Sequence, residues 1–121
     1  MGDFKALKVW QLGMEIAERC LRLTTSFPRE VSYNLGEQIK RSAISIPSNI
    51  AEGNARNSSK EYFQFASIAL GSCFELETQL LLAQRTNIGD FKVVAEILEL
   101  INVERKMLIR FRMKIHTNFS T

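Results

Sequence analysis

Ser58-Ser59-Lys60-Glu61-Tyr62-Phe63-Gln64-Phe65-Ala66-Ser67-Ile68-Ala69-Leu70-Gly71-Ser72-Cys73-Phe74-Glu75-Leu76-Glu77-Thr78-Gln79-Leu80-Leu81-Leu82-Ala83-Gln84-Arg85 reads as one long helix with a marked start and a marked stop. Ser58 and Glu61 form the S-x-x-E capping pattern, in which a hydroxyl satisfies a free N–H of the first turn. Asn87-Ile88-Gly89 supplies the turn after it. Between these signals, Tyr62, Phe65, Ala69, Cys73, Leu76, Leu80 and Ala83 recur at the 3–4 spacing of a single helix face. A second stripe, Phe63, Ala66, Leu70, Phe74 and Leu81, lies about 100° around the axis, leaving a narrow polar remainder at Gln64, Ser67, Gly71, Glu75 and Thr78.

The same period continues on both sides. Val9, Leu12, Ile16, Cys20, Leu23 and Phe27 mark a helix over about 8–27, closed by Phe27-Pro28 because a residue before proline is pushed out of the α region. Leu35, Ile39, Ala43, Ile46 and Ile50 mark a second over about 33–53. Pro47 inside it is expected to kink the helix, and Gly53 to serve as its C′ stop. The third helix covers 59–85, and Asp90 caps a fourth over about 90–116. Each would be about 30–40 Å long, and short joints make sequential helices antiparallel neighbours. The predicted fold is all-α, a single domain over 1–121 forming an antiparallel up-and-down four-helix bundle.

The doubled stripe on the third helix has two readings. One is a wide core arc within one chain. The other is that a neighbouring subunit buries one stripe, since an exposed apolar row is an aggregation liability. The second reading predicts a homo-oligomer with Ile44, Phe63, Leu70, Phe74 and Leu81 as candidate interface residues.

Composition narrows the class. The 16 Lys+Arg against 13 Asp+Glu leave only +3, far from a basic nucleic-acid arm. Cys20 and Cys73 form no CxxC pair and suit small core residues in a reducing compartment. No apolar stretch is expected to reach the roughly 18 residues of a membrane helix. The first residues, Met1-Gly2-Asp3-Phe4-Lys5, meet Glu15 and Glu18 before any apolar run, so no signal peptide is expected. A cytoplasmic protein without membrane association follows as the expectation.

Signatures of catalysis are sparse. His116 is the sole histidine, which excludes the paired Glu-x-x-His ligands of di-iron bundles. There is no HExxH, GxGxxG or GxxxxGK. No enzyme activity, cofactor or metal is therefore expected. Charge placement says more. On the second helix Gln38, Arg41, Ser45, Asn49 and Glu52 form a polar stripe, with Lys40 beside it and Arg56 and Lys60 following. Residues 40–60 hold four cations against Glu52 alone. A second basic run, 105–114, carries Arg105, Lys106, Arg110, Arg112 and Lys114 with no acid, and Lys106, Arg110 and Lys114 share a face. Such clusters hold phosphates, and repetition around an oligomer would multiply them. The bland alternatives are a solvated helix face, a subunit contact, or cations answering the helix dipole.

Several motifs have a familiar combination: Leu7-Lys8-Val9-Trp10-Gln11, Phe27-Pro28, Gln38-Ile39-Lys40-Arg41-Ser42-Ala43, then Ser45-Ile46-Pro47-Ser48-Asn49-Ile50-Ala51-Glu52-Gly53. Ser59-Lys60-Glu61, Gly71-Ser72 and Glu75-Leu76-Glu77-Thr78-Gln79-Leu80 follow. Over roughly 7–89 they resemble the bacterial four-helix-bundle family named for intervening sequences in 23S rRNA genes, the S23-type proteins. The resemblance implies small cytoplasmic bundles assembled as homopentamers, with no established enzymatic activity. It also implies a nucleic-acid association, because some members are encoded within rRNA intervening sequences. A distantly similar group, the accessory variability proteins of diversity-generating retroelements, works with reverse transcriptase and RNA. Two departures are visible. Asn34 stands where the family usually has glycine, and Lys40-Arg41 replaces an Arg-Arg pair, which loses one bidentate phosphate fork.

The expected function is a non-catalytic homo-oligomeric bundle, RNA- or DNA-associated, acting as a binding or scaffold protein. Lys40, Arg41, Arg56 and Lys60 are the candidate phosphate ligands, with Asn49 and Glu52 positioning the stripe. Lys106, Arg110 and Lys114 form a weaker candidate. The alternative is a protein–protein assembly module with no nucleic-acid role.

Overall fold

The Ser58 hydroxyl accepts a hydrogen bond from Glu61 N at 3.1 Å, and the Asp90 carboxylate accepts one from Val93 N at 3.1 Å. Both caps thus stand where the sequence places them. The computed structural model describes residues 2–119. Among these it contains helices only, assembled as an antiparallel up-and-down four-helix bundle: α1 (Lys8–Thr24), α2 (Glu37–Asn54), α3 (Ser59–Arg85) and α4 (Phe91–His116). A 3-10 turn at Phe4–Ala6 precedes α1. Replacing Ser58 with alanine leaves a first-turn N–H without its partner, and is expected to lower stability by about 1 kcal/mol. Denaturant titration of the variant checks this.

Sequential helices are neighbours, α4 closes the square against α1, and the pairs α1/α3 and α2/α4 lie on diagonals. This arrangement uses the first stripe of α3 and part of the second, burying Ala66 and Leu70 and leaving Phe74 and Leu81 exposed. A helix at one corner of a square touches two neighbours about 90° apart, so one chain can bury a broad apolar arc on it. Tyr62, Ser72 and Gln79 are buried on α3, where Ser72 meets Ser45 and Gln79 meets Ser42 of α2. Phe63, Cys73 and Glu77 meet α4 at His116, Ile101 and Arg105. Leu70, expected at a subunit interface, is a core residue for this reason. By length and composition α3 could also cross a membrane, which corrects the expectation that no stretch qualifies. In the bundle its apolar surface is divided between the core and an exposed remainder: Ile68, Phe74, Leu81 and Leu82.

Three boundaries differ from expectation. α1 stops at Thr24 rather than Phe27. Thr24, Thr25 and Ser26 each donate a hydroxyl to the carbonyl three residues back, at 3.1, 2.6 and 2.8 Å, which satisfies the free carbonyls of the last turn early. Phe27 still reaches the core, but from the turn. Before α2 the chain is already helical from Arg29, with a π segment over Ser32–Gly36. Gly53 lies within α2 rather than after it. It has no left-handed role: a Cβ there would sit 2.8 Å from Phe65 Cβ and 2.9 Å from Tyr62 Cδ1, so glycine permits a close approach of α2 to α3. The backbone does turn left-handed at Asn87 (φ 57°) and Gly89 (φ 80°), the joint into α4.

Pro47 is buried inside an uninterrupted α2. Opposite it Gly13 opens a space on α1: a Cβ there would lie 3.5 Å from Pro47 Cδ and 3.1 Å from Glu104 Oε2. Glu104 is the exception in an otherwise apolar row, Val94, Ile97, Ile101 and Leu108, and it is fully buried. Neither carboxyl oxygen has a protein hydrogen-bond partner, and burial pushes its pKa up to about 8. The side chain is therefore mostly protonated in the folded protein at pH 7.

Candidate nucleic-acid interface

The α2 stripe is largely occupied with its own helix. Lys40 Nζ lies 2.8 Å from Glu37, whose carboxyl is held below its ordinary range by that hydrogen bond and charge. Arg56 is 2.7 Å from Glu52 and 3.9 Å from Glu61, and its guanidinium lies 4.8 Å from the centre of the Phe65 ring. The Asn49 amide donates to Ser45 O at 2.8 Å and to Ser45 Oγ at 2.9 Å. That leaves Arg41 and Lys60, both exposed and in no ion pair among the described residues. Arg41 lies in the second turn of α2 and Lys60 in the first turn of α3, past the far end of α2, and Arg41 to Asn54 alone is about 20 Å of helix.

The six candidates therefore do not converge on one phosphate site. Sequence counting over 40–60 excluded Glu37 and Glu61, which stand just outside that window: Glu37 is the i,i+3 helical partner of Lys40, and Glu61 meets Arg56 across the joint. Across 37–61 the four cations face three acids, for a net +1.

The weaker candidate gains by comparison. Lys106, Arg110 and Lys114 are all exposed on α4, and none forms an ion pair among the described residues. Their i, i+4, i+8 spacing places charges about 6 Å apart along one helix edge. The other two cations of the run are engaged. Arg105 lies 3.4 Å from Glu77 and donates to Asn102 at 2.5 Å, and Arg112 sits 5.3 Å from the Phe63 ring centre. Sequence reading missed one member of this group, Lys8. It lines a cleft of about 400 Å³ together with Arg110 and Lys114. The topology could have found it, because an up-and-down bundle returns the end of α4 to the start of α1.

The candidate interface residues separate similarly. Ile44 is exposed and borders a cleft of about 370 Å³ between α1 and α2, beside Trp10, Met14 and Leu21. Phe74 and Leu81 are exposed on α3, Phe74 with Arg105 5.8 Å from its ring centre. Phe63 is half-buried beneath His116 and Phe119, at 5.3 and 5.5 Å between ring centres.

No cluster of three or more His, Cys, Asp or Glu residues suited to a metal occurs among the described residues. Cys20 and Cys73 are buried free thiols, pushed up to about 12 chiefly by burial, so neither supplies a thiolate at neutral pH.

A family model described as "23S rRNA-intervening sequence protein" matches residues 5–110. The chain belongs to this family. The match to the 23S rRNA-intervening sequence proteins extends beyond the motifs of 7–89 and takes in most of α4, including Lys106 and Arg110. Among solved structures, the chain is similar to a protein of unknown function from the S23 ribosomal protein family of Bacteroides thetaiotaomicron VPI-5482. The two share 26% identity and a TM-score of 0.77, with 86% of this chain and 97% of that chain covered. No curated protein matches the chain. Membership thus fixes the family, and neither the family nor its solved relative carries an assigned activity.

Proposed function

We propose that this 23S rRNA-intervening sequence protein is a non-catalytic, cytoplasmic, homo-oligomeric bundle that binds RNA or DNA as a scaffold. The observation that carries the reading is the row of exposed cations, Lys106, Arg110 and Lys114, joined by Lys8 and left without carboxylate partners among the described residues. Elsewhere Arg19 pairs with Glu15 and Arg56 with Glu52 at i±4, a partner this row lacks. An unpaired row keeps its charge available to a polyanion. Assembly, for which the family resemblance gives a pentamer, would repeat the row and raise avidity without new contacts.

Binding to structured RNA and to duplex DNA across a salt series tests this. The log–log salt slope should be negative and should become shallower by about 2 in Arg110→Ala/Lys114→Ala, one phosphate per cation removed. Arg41→Ala/Arg56→Ala should change it less, because Arg56 is already paired. Absent or salt-insensitive binding overturns the nucleic-acid reading. Light scattering that shows a stable monomer at micromolar concentration overturns the assembly.

A protein-assembly module without a nucleic-acid role is the second reading, favoured by the apolar α1–α2 cleft at Ile44. Retained assembly with no nucleic-acid binding would select it.

A further inference from the structure

The cleft where α1 begins and α4 ends combines two chemistries. Its cations, Lys8, Arg110 and Lys114, are exposed, whereas its apolar residues, Leu7, Val9, Met107 and Phe111, are buried or half-buried. It is therefore an apolar floor under a charged rim. We infer that this cleft seats an unpaired base of single-stranded nucleic acid, with the flanking phosphates on Lys8, Arg110 and Lys114. The inference rests on the nucleic-acid reading above and narrows it to a class of strand.

Duplexes fit this shape poorly. Paired bases are stacked on each other and present only groove edges and phosphates, so an apolar floor would meet nothing it can desolvate. An unstacked base offers a flat apolar face, and single-strand sites commonly combine such a seat with cations that track the backbone. The volume, about 400 Å³, falls in the ~300–1,000 Å³ range of small-molecule clefts, and its open mouth leaves room for the strand on either side. A lone carboxylate or phosphate would satisfy one cation. Lys106 continues the row one helical step beyond the cleft, which suits a linear polyanion that runs on past the seated base.

The test compares three labelled oligonucleotides by fluorescence anisotropy at fixed salt: a short unstructured RNA, a duplex of equal length, and the single strand carrying abasic sites. The abasic strand keeps every phosphate and leaves the protein untouched, so misfolding cannot imitate its effect. The unstructured strand should bind about tenfold more tightly than the duplex, and the abasic strand should lose about tenfold. Phe111→Leu should weaken the intact strand and leave the abasic strand unchanged, with circular dichroism confirming the fold. Equal affinity for intact and abasic strands, or for single strand and duplex, overturns the base seat while leaving the nucleic-acid reading standing. Failure of all three to bind overturns both.

Discussion

Glu104→Gln is expected to flatten the pH dependence of stability between about pH 4.5 and pH 8. The buried carboxyl holds its proton up to about 8, whereas its ordinary pKa is 4.5. In that window the native state binds more protons than the unfolded chain, so the unfolding free energy falls as pH rises. Below 4.5 both states are protonated and there is no penalty; above 8 both are ionised and the penalty is complete. At 1.36 kcal/mol per pKa unit, the wild type should lose up to about 5 kcal/mol relative to the variant across the window. That is a large share of the ~5–15 kcal/mol by which a domain of this kind is stable. Urea titrations from pH 4 to pH 9, at constant protein concentration, would measure it. Parallel stability profiles for the two proteins would show that Glu104 is ionised, or solvated, in the native state. Glu104→Leu should also rise in stability relative to wild type as pH increases, since it removes the titrating carboxyl from the row of Ile97, Ile101 and Leu108.

That carboxyl marks where sequence reading reaches its end. Periodicity locates α3 almost to the residue, because Ser58 at one end and Asn87–Gly89 at the other are local devices acting through their own backbone. It misplaces the end of α1, since Phe27 continues the apolar spacing although it enters the core from a turn. The π segment at Ser32–Gly36 leaves no trace in residue spacing. Electrostatics proved harder than packing. A charge window cut at 40 and 60 made a cluster of Lys40 and Arg56, although Glu37 answers the first and Glu52, with Glu61 beside it, the second. Lys8 reaches its site only through the closure of the bundle, and Glu104 is read as a surface glutamate unless its register with Ile97, Ile101 and Leu108 is followed. The doubled stripe on α3 was real, but a square bundle uses most of it within one chain.

Gly53 and Gly71 should respond to a side chain in opposite directions. At Gly71, exposed in the middle of α3, nothing lies within 4 Å of an added Cβ. Gly71→Ala therefore gains helix propensity and reduces the freedom of the unfolded chain, for a stabilisation of about 1 kcal/mol. At Gly53 the same change gains the same propensity but meets Phe65 Cβ at 2.8 Å. That atom is fixed to the α3 backbone and cannot rotate aside, so relief requires α2 and α3 to separate. Valine adds two methyl groups to the conflict. Gly53→Val is expected to cost about 3 kcal/mol, the upper part of the range for overpacking. The separation would also disturb the Asn54–Tyr62 hydrogen bond, 3.1 Å long, and the Arg56–Phe65 contact. Thermal melts of the two variants beside wild type distinguish this from a glycine that merely ends a helix. In that case Gly53→Ala would lose only about 1 kcal/mol through strain at a left-handed residue. An α-helical Gly53 replaced by valine without loss would show that the helices are not in contact there, and that the tight α2–α3 crossing does not hold the bundle's register.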